Sequence, residues 1–251
     1  MIKKKNSNNS SYIYVLVYFI LWVVLFEFIL PVNSILPKPS IVYQSFSDLW
    51  TDYHLFSNYL STLSGIYISL FVAYFLMQIS CSFFIKGKTF LSDFIGSLNW
   101  FSKFLPGIVI GLLFIFWFPN SEYIEFIFLF VTAFTSIVIF VESQLEDLQM
   151  EYIDSARSLG ADEPTISKQV VWKMIQPKIF LHILELNTYL WSLAIAFETI
   201  KGGSGLGDIF RLALKYRDLS ALFSVFLIAG ITVFIAKSII KFLKNKFAFW
   251  S

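Results

Sequence analysis

The chain has 251 residues, 57% hydrophobic and 14% charged, with a formal net charge of +2. Soluble domains are about 45–50% apolar and about 25% charged, so an ordinary water-soluble fold is excluded; a bilayer removes the need to cover apolar surface with charge. The small net charge offers no footing for nucleic acid, and one cysteine with two histidines excludes an internal disulfide or a cysteine–histidine zinc site.

Lys3, Lys4 and Lys5 precede an apolar run over 12–30. The run exceeds the ~7–15-residue core of a signal peptide. It also contains Glu27, and no clear small-x-small cleavage site follows, so it reads as a retained helix behind a cytoplasmic tail at 1–11. A helix crossing ~30 Å of hydrocarbon needs about 20 apolar residues. Segments 66–85, 105–118, 123–141, 179–197 and 219–240 follow, the second of these short unless it begins near Phe101. The predicted fold is all-α: a polytopic membrane helix bundle with about six transmembrane helices in a single domain over 12–251. Between the first two spans, Pro37-Lys38-Pro39-Ser40 precedes an amphipathic stretch at 41–50. Ser40 is its candidate N-cap, and the stretch reads as a helix lying in the membrane interface. Cys81 reads as a small apolar filler, and Glu27 as pairing with a helix end.

Lysine and arginine set the orientation, because cytoplasmic loops are enriched in both. With the N-terminus inside, the cytoplasmic segments hold Lys3, Lys4, Lys5, Lys86, Lys88, Lys103, Arg157, Lys168, Lys173, Lys178, Lys237, Lys241, Lys244 and Lys246. The outer segments hold only Lys38, Lys201, Arg211, Lys215 and Arg217, which accounts for all 19. Both termini are therefore expected in the cytoplasm.

The cytoplasmic loop at 142–178 reads as two short helices with a break. The first covers about 145–159, with Ile153, Ala156 and Leu159 on one side. Gly160 suits a helix C′ position, where positive φ is needed. Asp162 can cap a second helix, with Pro164 in its first turn. That helix carries Ile166, Val170 and Met174 at i, i+4, i+8, and Pro177 is expected to break the chain before the fifth span. Charge is segregated: 142–163 holds seven acids and one base, Arg157, and Lys168, Lys173 and Lys178 follow. Such a bent hairpin can dock into a groove on a soluble partner or serve as a solvated connector.

Residues 151–177, EYIDSARSLGADEPTISKQVVWKMIQP, resemble the "EAA" loop of ABC-importer permeases. There a Glu-Ala-Ala triplet is followed by Gly four residues after its last Ala; here the positions are Asp154, Ser155, Ala156 and Gly160. Leu36-Pro37-Lys38-Pro39-Ser40, the turn Gly203-Ser204-Gly205-Leu206-Gly207 preceded by Glu198, and Trp250 resemble segments of permeases of the nitrate, sulfonate and taurine type. The chain departs from the pattern at Asp154 and Ser155. Lys173 stands where a first Pro is expected, Pro177 matches only a second, and His182 falls near an expected small residue.

The resemblance implies a multi-pass permease subunit of the bacterial plasma (inner) membrane, not an enzyme. Asp154, Ser155, Ala156, Gly160, Ala161, Asp162 and Pro177 would belong to the loop that couples it to ABC ATPase subunits. It further implies a second permease copy or homologous permease, an extracytoplasmic solute-binding protein, and a small polar or anionic solute. No cofactor is expected on this chain: no G-x-x-x-x-G-K-[ST] motif occurs, so ATP would be consumed by the partner subunit. The glycine-rich stretch 202–207 reads as a tight turn between helices. On the fifth span His182, Glu185, Tyr189 and Ser192 share one helical face. Ionisable groups are expensive in lipid, so this face is expected to point inward; Glu185, Tyr189, Ser192 and, nearer the outer end, Glu198 are candidates for lining a substrate path. A secondary transporter or channel, or a membrane assembly protein without transport activity, is the alternative. H-E-x-x-H and G-x-S-x-G are both missing from the sequence.

Overall fold

The computed structural model describes residues 14, 17–30, 36–85, 93–94, 96–97, 100–101, 105–146, 148 and 150–248, without the side chains of 81–85, 146 and 150. Lys3, Lys4, Lys5, Lys86, Lys88, Lys103, Trp250 and the Cys81 side chain lie outside the described residues.

The described elements are helical throughout. They are α1 (Val17–Ile29), α2 (Pro39–Thr51), α3 (Leu55–Ile85), α4 (Gly107–Trp117), α5 (Ile124–Glu146), α6 (Met150–Ser158), α7 (Glu163–Lys201), α8 (Leu206–Tyr216) and α9 (Leu219–Phe247). Among the described residues, α3, α5, α7 and α9 are long and apolar enough to cross a membrane. α1 and α4 are apolar but shorter; at ~1.5 Å per residue, α4 covers about 16 Å.

α7 is the hub, packing on α3, α4, α5, α8 and α9. Ile175, Ile179, Ile183, Leu186, Leu190, Ala194 and Phe197 recur every three or four residues and are buried along it. Lipid tails are as apolar as leucine, so close packing and interhelical hydrogen bonds must hold such a bundle together. α4 uses Gly107 and Gly111, one turn apart, to approach its neighbours. A methyl group on Gly111 would come within 3.1 Å of Phe128 and Phe197, whose rings stack at 5.0 Å. Polar links tie the long helices at intervals: Tyr67 donates to Asn187 Oδ1 (3.0 Å), Trp191 to the Tyr67 oxygen (3.1 Å) and Ser69 to the Phe126 carbonyl (3.2 Å). Each such bond is worth about 0.6 kcal/mol in a membrane.

Three expectations change. Ser40 is not the cap of α2: Lys38 holds that position and makes no side-chain cap, with Pro39 opening the helix. The Ser40 N–H instead donates to Glu27 Oε2 at 3.2 Å, so α1 supplies a carboxylate to the positive end of α2. α2 presents Val42, Ser45 and Leu49 to α9, where the Ser45 and Ser224 hydroxyls meet at 2.6 Å, and leaves Tyr43 and Trp50 exposed.

Pro177 does not break the chain. It lies buried inside α7, which runs unbroken from the loop into the bundle. An interior proline is tolerated in membrane helices where neighbours and local π adjustments re-satisfy the backbone, and a π-helical turn at Ile166–Val171 sits just before it. That turn also shifts the buried face. Ile166, Ser167, Val171, Trp172 and Ile175 are buried, in place of the straight Ile166–Val170–Met174 stripe, because a π turn inserts an extra residue and advances the register.

At the far end of α7, residues 202–205 form the tight turn, with Gly205 at φ +90°, while Leu206 and Gly207 already open α8. α8 then leads to α9, whose N-terminus is capped by Asp218 accepting from the Ala221 N–H at 2.9 Å. Burial pushes the Asp218 carboxyl up, but bonds from the Ala221 N–H, Ser220 and Tyr53 outweigh it and hold it below the usual range. Burial, then the Asp218 charge, pushes the Tyr53 phenol up to about 12.

Candidate functional site

Three groups of residues carry polar chemistry, spread along α7. The first is the loop at 142–178. α6 folds back on the first turns of α7, with Ile153 buried and Ala156 partly so. The chain then reverses at Gly160, φ +82°. The Gly160 N–H donates to the Arg157 carbonyl (3.0 Å) and the Ala161 N–H to the Ala156 carbonyl (3.1 Å), a Schellman ending. Asp162 starts α7 by accepting from the Thr165 N–H at 3.3 Å. Arg157 bridges Asp154 at 3.2 Å and Glu163 at 2.9 Å across the bend. These pairs are solvent-exposed and individually worth about 0–1 kcal/mol, so the backbone geometry sets the bend. Leu159 does not join Ile153 and Ala156 on a buried side. α6 ends at Ser158, the chain turns, and Leu159 is left 87% exposed. Tyr152, Asp154, Ser155 and Gly160 are exposed with it, and nothing lies within 4 Å of where a Gly160 side chain would begin.

Hydrogen bonding from the Thr165 side chain, the largest cause, with a smaller contribution from the Thr165 N–H, holds the Asp162 carboxyl below its ordinary 3.8. A depressed carboxyl contributes its stabilisation above its unfolded value and loses it as pH falls through the folded one. The cap is therefore complete at neutral pH and disappears below pH 3.8. Protection of the Thr165 amide, measured against its intrinsic exchange rate at each pH, is expected to fall at that end of the pH scale, and Asp162→Ala to show the same loss of protection at neutral pH. Equal exchange in wild type and Asp162→Ala at pH 7 would remove the cap from the account.

The second group is the polar face of α7. Glu185, Tyr189 and Ser192 share an exposed strip with Thr188, and Ser192 donates to the Thr188 carbonyl at 3.2 Å. The Tyr189 hydroxyl reaches toward Gly107 of α4. His182 stands apart: its Nε2 lies 3.0 Å from the Ser136 hydroxyl of α5, and its ring stacks on Phe140 at 4.3 Å.

The third group lies at the opposite end of α7 from the loop. Glu198 is only 1% exposed. It accepts from Thr62 Oγ1 (2.6 Å) and from the Gly207 N–H (2.7 Å). Thr62 accepts from the Leu206 N–H (2.8 Å), and Asn58 Oδ1 from the Gly205 N–H (2.9 Å). Three successive donors opening α8 are thus capped by side chains of α3 and α7. Buried Glu125 of α5 adds a second carboxyl to the same polar centre. Glu198 is therefore separate from the exposed strip. Sequence reasoning missed Asn58 and Thr62; their one-turn spacing was the available signal, diluted by Ser57, Ser61 and Ser64 in the same turns.

Compared with known proteins, the chain matches a family model described as "Binding-protein-dependent transport system inner membrane component" over residues 65–248. That stretch contains the loop, the exposed strip and Glu198 with its Gly207 donor, while Asn58 and Thr62 lie just before it. A search of curated proteins finds no match.

Proposed function

The chain belongs to the family of binding-protein-dependent transport system inner-membrane components, and from that premise we propose that it is the permease subunit of an ATP-driven importer for a small polar or anionic solute. A sulfonate, taurine, nitrate or a pyrimidine vitamin precursor fits that class. In this reading α1 and the α4 region complete six spans, both termini face the cytoplasm of a bacterial cell, and 12–251 form one membrane domain. A solute-binding protein delivers the solute from outside.

The observation that carries the reading is the elbow at 158–162. It has a fixed bend, an exposed apolar tip at Leu159, and direct helical continuity through α7 into the bundle. A push on the elbow by a closing ATPase pair would move α7, and with it every helix packed on that hub. Asp154, Ser155, Ala156, Gly160, Ala161 and Asp162 would form or shape the contact, with Pro177 further along the lever. The exposed strip supports a second permease copy, because a carboxylate such as Glu185 left facing lipid costs about 2.5–3.5 kcal/mol or more near a helix centre. Between two copies the strip, with Tyr189 and Ser192, would line the path, and alternating access would follow from the lever.

Gentle solubilisation of native membranes tests this. A P-loop ATPase is expected to co-purify in stoichiometric amount, and Leu159→Glu to weaken its retention by roughly tenfold or more, as for an apolar anchor lost from an interface. Purification of an active complex with no ATPase would instead favour a secondary transporter or channel.

A further inference from the structure

A groove of about 770 Å³ runs between α3, α7 and α9, within the ~300–1,000 Å³ range of ligand-holding sites. Its lining descends α3 from Tyr59 to Tyr74 and α9 from Thr232 to Phe247, about 22 Å at ~1.5 Å per residue. It is open along one flank, where Phe71, Ile235, Ile239 and Phe247 are more than half exposed.

The polar atoms in its walls have partners within the chain. Tyr59 and Thr232 hydroxyls meet at 3.2 Å, Gln176 Nε2 donates to the Tyr74 oxygen at 2.9 Å, and Tyr67 is held between Asn187 and Trp191. An occupant therefore gains nothing by offering hydrogen bonds along the groove; it must be apolar over most of its length. A partner helix fits poorly, since helix–helix contacts in membranes favour small residues that let backbones approach. Phenylalanine, isoleucine, leucine and tyrosine dominate these walls; the small residues among the lining are Ala236 and Thr232, and the Thr232 hydroxyl is already taken up by Tyr59.

One end of the groove is flanked by positive charge. Phe247 is the last lining residue there, Lys246 Nζ sits 5.7 Å from its ring centroid, and Lys244 shares the same last turn of α9; both lysines flank the lining rather than form it. Basic residues at such a mouth attract anionic headgroups. We propose that this groove is a binding site for a membrane phospholipid, its acyl chain along α3 and α9 and its anionic headgroup at Lys244 and Lys246. The lipid would fill the space between the α7 hub and α9. The site depends only on the chain lying in a bilayer, so it stands or falls separately from the direction of transport or the identity of the solute.

The full-length protein, in nanodiscs of equal phosphatidylglycerol and phosphatidylcholine, is released into mild detergent and weighed by native mass spectrometry. One retained lipid per chain is expected, enriched in phosphatidylglycerol. Ile239→Trp, at an exposed lining position that tolerates bulk, and Ala236→Phe should each release it. The paired change Lys244→Gln with Lys246→Gln should keep a lipid but reduce the preference for the anionic one, roughly fivefold per lysine. Circular dichroism identifies any variant that fails to fold. The proposal is overturned if wild type retains no lipid, if both filled-groove variants retain as much as wild type, or if the lysine changes leave the preference intact. Cysteine cross-links from Ile239 to a second copy would likewise overturn it, since the groove would then be a subunit contact.

Discussion

Glu198→Ala is expected to lower the thermal unfolding midpoint of the solubilised protein by about 10 °C. The carboxyl group is buried and accepts from both Thr62 Oγ1 and the Gly207 N–H. Alanine leaves the Gly207 N–H buried without an acceptor and the Thr62 hydroxyl with only the longer bond to the Asn58 carbonyl at 3.3 Å, at about 1–3 kcal/mol for each bond lost. In a chain of this size each kcal/mol moves the midpoint by about 2–4 °C. Glu198→Gln keeps one carbonyl oxygen at nearly the same volume and should lose less than half as much. Gly207→Ala should be at least as damaging as Glu198→Ala. Its methyl group would overlap the Ile195 carbonyl, the Glu198 Cβ and the Thr199 nitrogen, two of them backbone atoms that cannot swing aside. Tryptophan fluorescence melts decide the matter; a Glu198→Ala midpoint within 2 °C of wild type would show that water or Glu125 takes over the cap.

Gly160→Val is expected to abolish most ATP-coupled transport while leaving the protein inserted and folded. Gly160 sits at φ +82° with open space around it, so no clash arises and the whole effect is conformational. A residue with a Cβ pays about 1–2 kcal/mol in left-handed geometry, more when β-branched. That strain can be relieved only by unwinding the end of α6 or re-aiming the elbow. Gly160→Asn, whose short polar side chain tolerates this region, should retain most activity. The valine-to-asparagine contrast, read in proteoliposomes with the ATPase present, separates loss of bend from loss of contact. Full transport by the valine variant would refute the lever model.

These two residues also show how far the primary structure reaches. Gly160 is legible locally: a helix-period stretch, then Gly-Ala-Asp and a proline, specifies an ending, a turn and a new start through short-range backbone hydrogen bonds. Glu198 is not. Its neighbours Thr62 and Gly207 lie 136 and 9 residues away, and a carboxylate near a helix end reads the same whether it is hydrated or sealed. Only the packing of α3 against α7 and α8 makes it a cap. His182 and Glu185 divide for a similar reason. They share a helical side by spacing, yet Ser136 and Phe140 of α5 take up the histidine and leave Glu185 on the open strip.

By itself the sequence determined the helical membrane character, the bend in the loop and the family motifs, because apolar run length and capping residues act over one or two turns. Tertiary structure decided that Pro177 continues a helix, that α4 packs on its neighbours through two glycines, and where the groove opens. Each of those depends on what a neighbouring helix offers to a freed backbone group, a bare Cα or an unfilled surface, and no stretch of chain specifies its neighbour alone.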